Sequence, residues 1–193
     1  MIEDLFKVAI YRTFLHDEIP DDLNKIFERL TSYYNNNQLK TPESWRTDML
    51  TSHNVLDPNI EYSGIMKKIN NHVYTYVKQM GYDINNVSCT EAWFNYGIEH
   101  SYQEYHVHAN NHISGVYYIK TPENCGNIVF RSGVNMYPMP NAEKNTSIYG
   151  AKSSSITPQE DVLLLFPADL EHMVEVNKTK EPRISLSFNF KLN

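Results

Sequence analysis

The sequence predicts an α+β chain in which an N-terminal helical layer supports a double-sheet jelly roll or barrel. Two observations predict this class. Apolar residues recur at helical spacing in the first half, whereas from Val87 onward short runs rich in Val, Ile, Phe and Tyr are separated by Pro, Gly and Asn. A length of 193 residues with 41% apolar content suffices to bury one core. We therefore expect one domain over 1–193, with mainly helical support over 1–86 and the jelly-roll core over 87–193.

The first half is predicted to contain one strand and two amphipathic helices. The strand lies at about residues 5–12, and the first helix follows the start signal Pro20-Asp21-Asp22. Its apolar positions recur at helical spacing at Leu23, Ile26, Phe27 and Leu30. The second helix begins near Asp57-Pro58 and ends at Gly81, because glycine commonly terminates helices. Residues 35–57 between the helices are predicted to be a polar loop.

The second half is predicted to contain seven short strands and one long loop. The strands lie at about residues 90–97, 103–108, 113–119, 126–131, 161–166, 171–176 and 183–190. The stretch 132–158 has little apolar periodicity and several Ser, Asn and Pro residues, which is typical of a loop. Loops of this length often close over a functional site, so this one is a candidate cover.

The last predicted strand, RISLSFNF, alternates strictly between polar and apolar residues. The polar row comprises Arg183, Ser185, Ser187 and Asn189, and the apolar row comprises Ile184, Leu186, Phe188 and Phe190. We expect the apolar row to pack against the helical layer and the polar row to face the opposite sheet. The alternative, common among amphipathic strands, is a polar row that faces solvent.

Composition and charge argue against several classes of function. The net charge is −6 with Lys and Arg scattered, so a nucleic acid is not expected as the primary partner. Cys89 and Cys125 lie far apart outside any CxxC pattern, which argues against a disulfide framework and a thiolate zinc site. The N-terminus does not read as a signal peptide, and no apolar run is long enough to cross a membrane. We expect a soluble cytoplasmic protein; its oligomeric state is open, a homodimer included.

Three histidines form the candidate metal site. His106 and His108 lie two residues apart in a predicted strand, so both imidazoles project from one face, about 6 to 7 Å apart at the backbone. His172, near the start of a later strand, supplies a third ligand. Three protein ligands leave coordination positions open for substrate and oxygen, as oxygen-activating iron requires. Imidazole also binds zinc and copper, so the histidines alone do not identify the metal.

Other interpretations of these histidines stay open. An HxH pair on a strand is more often a surface pair than a metal site. His112 and His100 are reserve ligands. The remaining histidines in helical or loop segments are expected at the surface, namely His16, His53 and His72.

Arg183 is the candidate carboxylate-binding residue. Its planar guanidinium offers two parallel donors, a geometry that lysine does not match. Ser185 follows on the same strand face and can add a hydroxyl donor. The alternative is a surface arginine at the start of a strand, which is the usual environment of this residue.

Four segments in order resemble a known family. YHVHANNHISGVYYI resembles an HxHP-x-x-x-x-SG-x-YY signature, and GNIVF, LLLFPADLEHMVEVN and RISLSFNF resemble the segments that follow it. The family is that of 2-oxoglutarate and Fe(II)-dependent oxygenases found in bacteria and marine phages. The resemblance runs from about Trp93 to the C-terminus, roughly half of the chain. If the chain is phage-encoded, its expected location is the host cytoplasm.

The resemblance implies a double-stranded β-helix with a helical layer packed on one sheet. It places Fe(II) on His106, His108 and His172 and the far carboxylate of 2-oxoglutarate on Arg183, with Ser185 in support. Asn95 is a further candidate for the chelating end of 2-oxoglutarate, and Tyr117 for the far carboxylate; both are equally compatible with core or surface positions. The sequence departs from the broader superfamily in carrying His108 where HxD or HxE is usual, and from the signature in Ala109 where proline is common.

The resemblance predicts an oxygenase that uses Fe(II), 2-oxoglutarate and O2, converts 2-oxoglutarate to succinate and CO2, and hydroxylates a small-molecule or peptide substrate. A second enzyme hypothesis is a three-histidine cupin-type dioxygenase that does not use 2-oxoglutarate. A third hypothesis, from a different class, is a non-catalytic jelly-roll module with a structural or sugar-binding role.

Overall fold

The computed structural model describes residues 7–15, 23–45, 47–133 and 151–193. The helices are α1 (Leu23–Asn35), α2 (Pro58–Glu61) and α3 (Ser63–Gln79). The strands are β1 (Tyr11–Phe14), β2 (Leu50–Thr51), β3 (Val87–Gly97), β4 (Gln103–His106), β5 (Ile113–Lys120), β6 (Ile128–Arg131), β7 (Ser153–Ile156), β8 (Val162–Pro167), β9 (His172–Val174) and β10 (Arg183–Leu192).

The helical layer packs on one face of the larger sheet, as predicted. Apolar side chains at helical spacing on α1 and α3, including Ile26, Leu30, Ile69 and Val73, are fully buried in the same core cluster as the apolar row of β10. The predicted second helix is divided into α2 and α3 at Tyr62. Among the described residues, no helix is long and apolar enough to cross a membrane.

Two antiparallel sheets form the β part, which is not a closed barrel. The larger sheet has the strand order β1-β8-β5-β10-β3-β2, so β10 is paired on both sides. Its alternation is as predicted: Ile184, Leu186, Phe188 and Phe190 face the helical layer, whereas Arg183 and Ser185 face the smaller sheet. One strand therefore contributes both to the core and to a polar interior surface.

The smaller sheet has the strand order β4-β9-β6-β7. Its contact with the larger sheet is partly apolar, since Ile128 and Phe130 pack with Val116, Leu164 and Phe166. The remaining space between the sheets is a cavity with polar groups on its walls.

The structure corrects several predicted boundaries, of which four bear on the architecture. The first strand is at 11–14 rather than 5–12: residues 7–10 lie outside any strand, and 1–6 lie outside the described residues. The polar loop at 35–57 includes β2. The strand at 103–108 ends at His106. The predicted loop at 132–158 includes β7, which pairs with β6; its central part, 134–150, lies outside the described residues, so the predicted cover stays a prediction.

Candidate metal centre

His106, His108 and His172 converge at one end of the cavity. One ligand nitrogen from each of the three rings lies within 4.8 Å of the other two. The ring centroids are 4.3 Å apart for His106 and His172, 5.0 Å for His106 and His108, and 5.2 Å for His108 and His172. The three imidazoles can therefore hold one metal ion between them.

Strand pairing brings the rings of His106 and His172 together. His106 on β4 lies directly opposite His172 on β9, so their side chains project from adjacent strands on the same face of the smaller sheet. His108 follows two residues after β4 ends, and its backbone N–H donates to the Ala168 carbonyl oxygen at 2.8 Å. That bond fixes the loop that carries His108 beside the end of β8.

Two of the rings are held in a defined tautomer. Nδ1 of His106 lies 2.8 Å from the Glu104 carbonyl oxygen, and Nδ1 of His172 lies 2.8 Å from the Leu170 carbonyl oxygen. A carbonyl oxygen only accepts, so each Nδ1 must carry the hydrogen. In a neutral ring Nε2 then has a free lone pair, as metal binding requires. His108 has no ring hydrogen bond with the described residues.

Burial keeps the three imidazoles uncharged at neutral pH. Burial, with the nearby His106 ring, lowers the pKa of His108 to about 4 and that of His172 to about 3. The pKa of His106 is lowered by the same desolvation. His172 is only 4% exposed, with the Phe166 ring centroid 4.8 Å away. Neutral imidazoles are the form that binds a metal, so the donor set fits a divalent ion such as Fe(II).

Arg183 lines the same cavity and is 3% exposed. Its Nη1 donates to the carbonyl oxygens of Cys125 and Gly126, at 3.0 and 3.4 Å. Among the described residues, Nε and Nη2 have no hydrogen-bond partner and no carboxylate pairs with the guanidinium. Burial lowers the pKa of Arg183, yet arginine stays protonated in proteins. A buried cation with a free pair of donors is suited to an anionic ligand.

Ser185 and Asn95 lie side by side on the wall of the cavity. They are paired in register across β10 and β3, and Asn95 Nδ2 donates to Ser187 Oγ at 2.8 Å and to Ser185 Oγ at 3.4 Å. Trp93 donates from Nε1 to Asn95 Oδ1 at 3.1 Å. The Ser185 hydroxyl accepts in this network, so its own hydrogen is available to a ligand.

The prediction for Tyr117 requires correction. Tyr117 lies on the helix-facing side of β5, is fully buried, and donates its hydroxyl to Asp161 Oδ1 at 2.9 Å. It therefore does not line the cavity. Tyr118 does, because it is the β5 residue that pairs with Ser185. Tyr118 is close enough to Arg183 for the guanidinium charge to act on its pKa, which burial raises.

Several residues of the site were not found from the sequence. Trp45 and Met49 line the cavity from the segment expected to be a polar loop, where no periodic pattern marks them. Trp93 had a usable signal, since it shares strand parity with Asn95. A second, open groove, here called the outer groove, shares Trp45, Gln103, His106 and His108 with the cavity and adds Ser44, Glu104, Tyr105 and Val107.

The other histidines lie apart from this cluster. His112 Nδ1 accepts from the Leu192 backbone N–H at 3.0 Å, and His100 is in a turn with φ of 68°. His53, expected at the surface, is instead half-buried and stacks on Trp93 with ring centroids 4.8 Å apart. His72 is half-buried and bonds Tyr11 through Nδ1. His16 lies outside the described residues.

Solved structures share the fold at low sequence identity. A Pseudomonas putida prolyl-4-hydroxylase superposes with a TM-score of 0.64 at 12% identity, covering 96% of this chain and 94% of its own. HygX from Streptomyces hygroscopicus, with nickel, 2-oxoglutarate and hygromycin B bound, gives 0.59 at 11%, covering 95% and 83%. The epimerase SnoN, in complex with Fe3+, alpha ketoglutarate and nogalamycin RO, gives 0.64 at 11%, covering 95% and 79%. These similarities confirm the predicted double-stranded β-helix.

No curated protein matches the chain. A family model described as "Putative 2OG-Fe(II) oxygenase" matches residues 91–189, just over half of the 193 residues. The matched segment contains the three histidines and Arg183, and the family resemblance predicted from the sequence is confirmed. The chain therefore belongs to the 2OG-Fe(II) oxygenase family, whose cofactors are Fe(II) and 2-oxoglutarate and whose oxidant is O2.

Proposed function

We propose that this oxygenase is a hydroxylase in which His106, His108 and His172 hold Fe(II) and Arg183 holds the far carboxylate of 2-oxoglutarate. Family membership supports the class of enzyme, and the geometry of the cavity supports the assignment of residues. The bound metal supplies oxygen activation coupled to the oxidative decarboxylation of 2-oxoglutarate to succinate and CO2. The protein supplies binding, orientation and a cavity between the two sheets.

The observation that carries the assignment is the environment of Arg183. Its buried guanidinium keeps two donors free and has no carboxylate partner in the described part of the chain. Three neutral imidazoles occupy another part of the same cavity. A molecule with a metal-chelating end and a carboxylate end satisfies both groups at once, and 2-oxoglutarate is such a molecule.

The remaining polar groups have roles that follow from their hydrogen bonds. Ser185 and Tyr118 add hydroxyls beside Arg183, so they orient the carboxylate that the guanidinium binds. Asn95 already makes three internal hydrogen bonds, which fixes the wall from Trp93 to the two serines. We propose that Asn95 borders the chelating end of the co-substrate rather than moving to meet it.

The outer groove is the proposed approach for the second substrate. It opens on His106 and His108 and presents the aromatic rings of Trp45 and Tyr105 and the 47% exposed Val107. Arg131 covers the Tyr105 ring at 3.7 Å and pairs with Glu171, so these rim charges are mutually balanced. Aromatic rings beside polar side chains suit a small-molecule or peptide substrate; the fold neighbours include a prolyl-4-hydroxylase and a structure with hygromycin B bound.

The test is an anaerobic titration of metal-free protein with Fe(II) and then 2-oxoglutarate. We expect a metal-to-ligand charge-transfer band when both are present, and succinate with CO2 after oxygen is admitted. If the His108→Ala variant keeps both the charge-transfer band and full turnover, His108 is not a metal ligand. Absence of both band and succinate in the wild type would contradict the proposal. Metal content after anaerobic reconstitution would then distinguish a three-histidine dioxygenase that does not use 2-oxoglutarate from a non-catalytic jelly-roll module.

A further inference from the structure

The described walls of the cavity carry a single charge, and it is positive. Arg183 is its one charged side chain at neutral pH, and no Asp or Glu is among the described residues that line it. The histidines add no charge because each is neutral, and His108 stands where a carboxylate is usual in the superfamily. The described walls of the cavity therefore provide no protein anion to compensate either a bound metal or the arginine; Glu104 lines the outer groove instead.

Binding of a divalent metal alone to this cavity would be electrostatically unfavourable. It would place three positive charges within one partly desolvated space, where like charges repel far more strongly than in water. The two carboxylates of 2-oxoglutarate would leave a single net charge. Charge compensation thus has to come from the ligand, since the described walls of the cavity do not provide it.

Building on the proposed function, we infer that the charge of Arg183 opposes metal binding until a dicarboxylate enters the cavity, so that metal and co-substrate load as a pair. Arg183 then has two roles. It holds the far carboxylate, and it weakens metal retention when the co-substrate is absent. His108 strengthens this dependence because an imidazole does not neutralise the metal as a carboxylate would.

Chelation alone does not test the inference, because any ligand that coordinates a metal raises its affinity. The diagnostic quantity is the affinity for metal without co-substrate. If Arg183 only held the carboxylate, its replacement would leave that affinity unchanged. If its charge opposes the metal, removing the charge will tighten binding of the metal alone.

The experiment measures Mn(II) affinity from the EPR signal of free Mn(II), with metal-free wild type, Arg183→Gln and Arg183→Lys. Both replacements lose the Nη1 hydrogen bond to the Cys125 carbonyl, but glutamine is neutral whereas lysine keeps the charge, so the two variants form a matched pair. We expect Arg183→Gln to tighten Mn(II) alone by about fivefold or more, and Arg183→Lys to stay within about twofold of wild type. For the wild type, 2-oxoglutarate should tighten Mn(II) more than pyruvate, which lacks the second carboxylate.

His108→Asp provides a second variant that leaves the Arg183 hydrogen bonds intact. We expect it to bind Mn(II) alone more tightly and to gain less from 2-oxoglutarate than the wild type does. An unchanged or weaker Mn(II) affinity in Arg183→Gln, or an undiminished 2-oxoglutarate gain in His108→Asp, would overturn the inference while leaving the proposed function intact. Failure of wild type to bind Mn(II) or Fe(II) with 2-oxoglutarate would instead overturn the proposed function.

Discussion

Arg183 donates through Nη1 to the main-chain oxygen of Cys125 at 3.0 Å, and a longer contact of 3.4 Å reaches the next residue, Gly126. The guanidinium is thus positioned by a turn rather than by an acidic side chain. Because that turn occupies only one nitrogen, Nε and Nη2 have no hydrogen-bond partner among the described residues and are available to a ligand.

Gly126→Ala should weaken the binding of 2-oxoglutarate. Gly126 has φ of 90°, and a Cβ there would lie 2.3 Å from the Glu175 carbonyl oxygen, so the turn that holds Arg183 must shift. We expect a loss of about 1–3 kcal/mol in the free energy of unfolding and a higher Kd for 2-oxoglutarate. Urea denaturation and titration of the charge-transfer band measure the two effects.

Gly64→Ala is the matched control, since no atom lies within 4 Å of its would-be Cβ at the start of α3. It should leave the Kd unchanged. Equal Kd values for the Gly126 and Gly64 variants would contradict the positioning role of the turn.

Tyr118→Phe and Tyr117→Phe should have opposite consequences. Tyr118 lines the cavity near Arg183, so loss of its hydroxyl should raise the Kd for 2-oxoglutarate by about 3- to 10-fold, the loss of one hydrogen bond. Tyr117 donates to Asp161 on the other face, so its variant should lose about 1–2 kcal/mol of stability with no change in Kd. The prediction is wrong if Tyr117→Phe is the variant that impairs 2-oxoglutarate binding.

Metal affinity should depend on His106 and His172 but not on His100. Replacement of either ligand by alanine removes a nitrogen from the cluster, and we expect Fe(II) affinity to fall by at least about 100-fold. His100→Asn is the control, because asparagine tolerates the positive φ of 68° at this position. Anaerobic equilibrium dialysis measures the affinity. If His100→Asn lost a comparable amount of Fe(II) affinity, the losses in the ligand variants would reflect reduced stability of the protein rather than removal of a ligand.

Acidification should destabilise the metal-free protein. Burial lowers the pKa of His108 to about 4 and that of His172 to about 3, below the ordinary value of 6.5. At a pH between the folded-state pKa and 6.5, the unfolded chain binds protons that the folded chain does not. The contribution of these histidines to the free energy of unfolding is therefore fully present above pH 6.5 and is lost as the pH falls toward their folded-state pKa values.

Urea unfolding in EDTA at about pH 7.5 and about pH 5 measures this dependence. The matched variant carries His108→Gln and His172→Gln together and should lose less free energy between the two conditions. Equal losses in the two proteins would exclude the buried histidines as the cause.

The sequence predicted the large-scale organisation because alternation and helical spacing are local signals. Alternation in RISLSFNF predicted which residues lie on each face of the strand, and the spacing of apolar residues predicted the two helices. The histidine cluster followed from spacing together with family resemblance. All of these depend on patterns that a few consecutive residues carry.

What the sequence did not predict depends on register and on irregular backbone. Tyr117 and Tyr118 are adjacent and chemically identical, and only the pairing of β5 with β10 decides which one faces the cavity. Trp45 and Met49 reach the cavity from a segment without periodicity. Strand β7, SSSI, has one apolar residue, so its pairing with β6 left no hydrophobic signal.

Each of the two rings on β4 and β9 takes its orientation from the carbonyl group two residues earlier in its own chain segment. The hydrogen bonds that set the tautomer of these imidazoles are thus made within their own chain segments and involve no other side chain. Substitution of a side chain at the entrance accordingly removes neither of these two hydrogen bonds, so the Nε2 lone pairs stay available to a metal whatever residues line the approach.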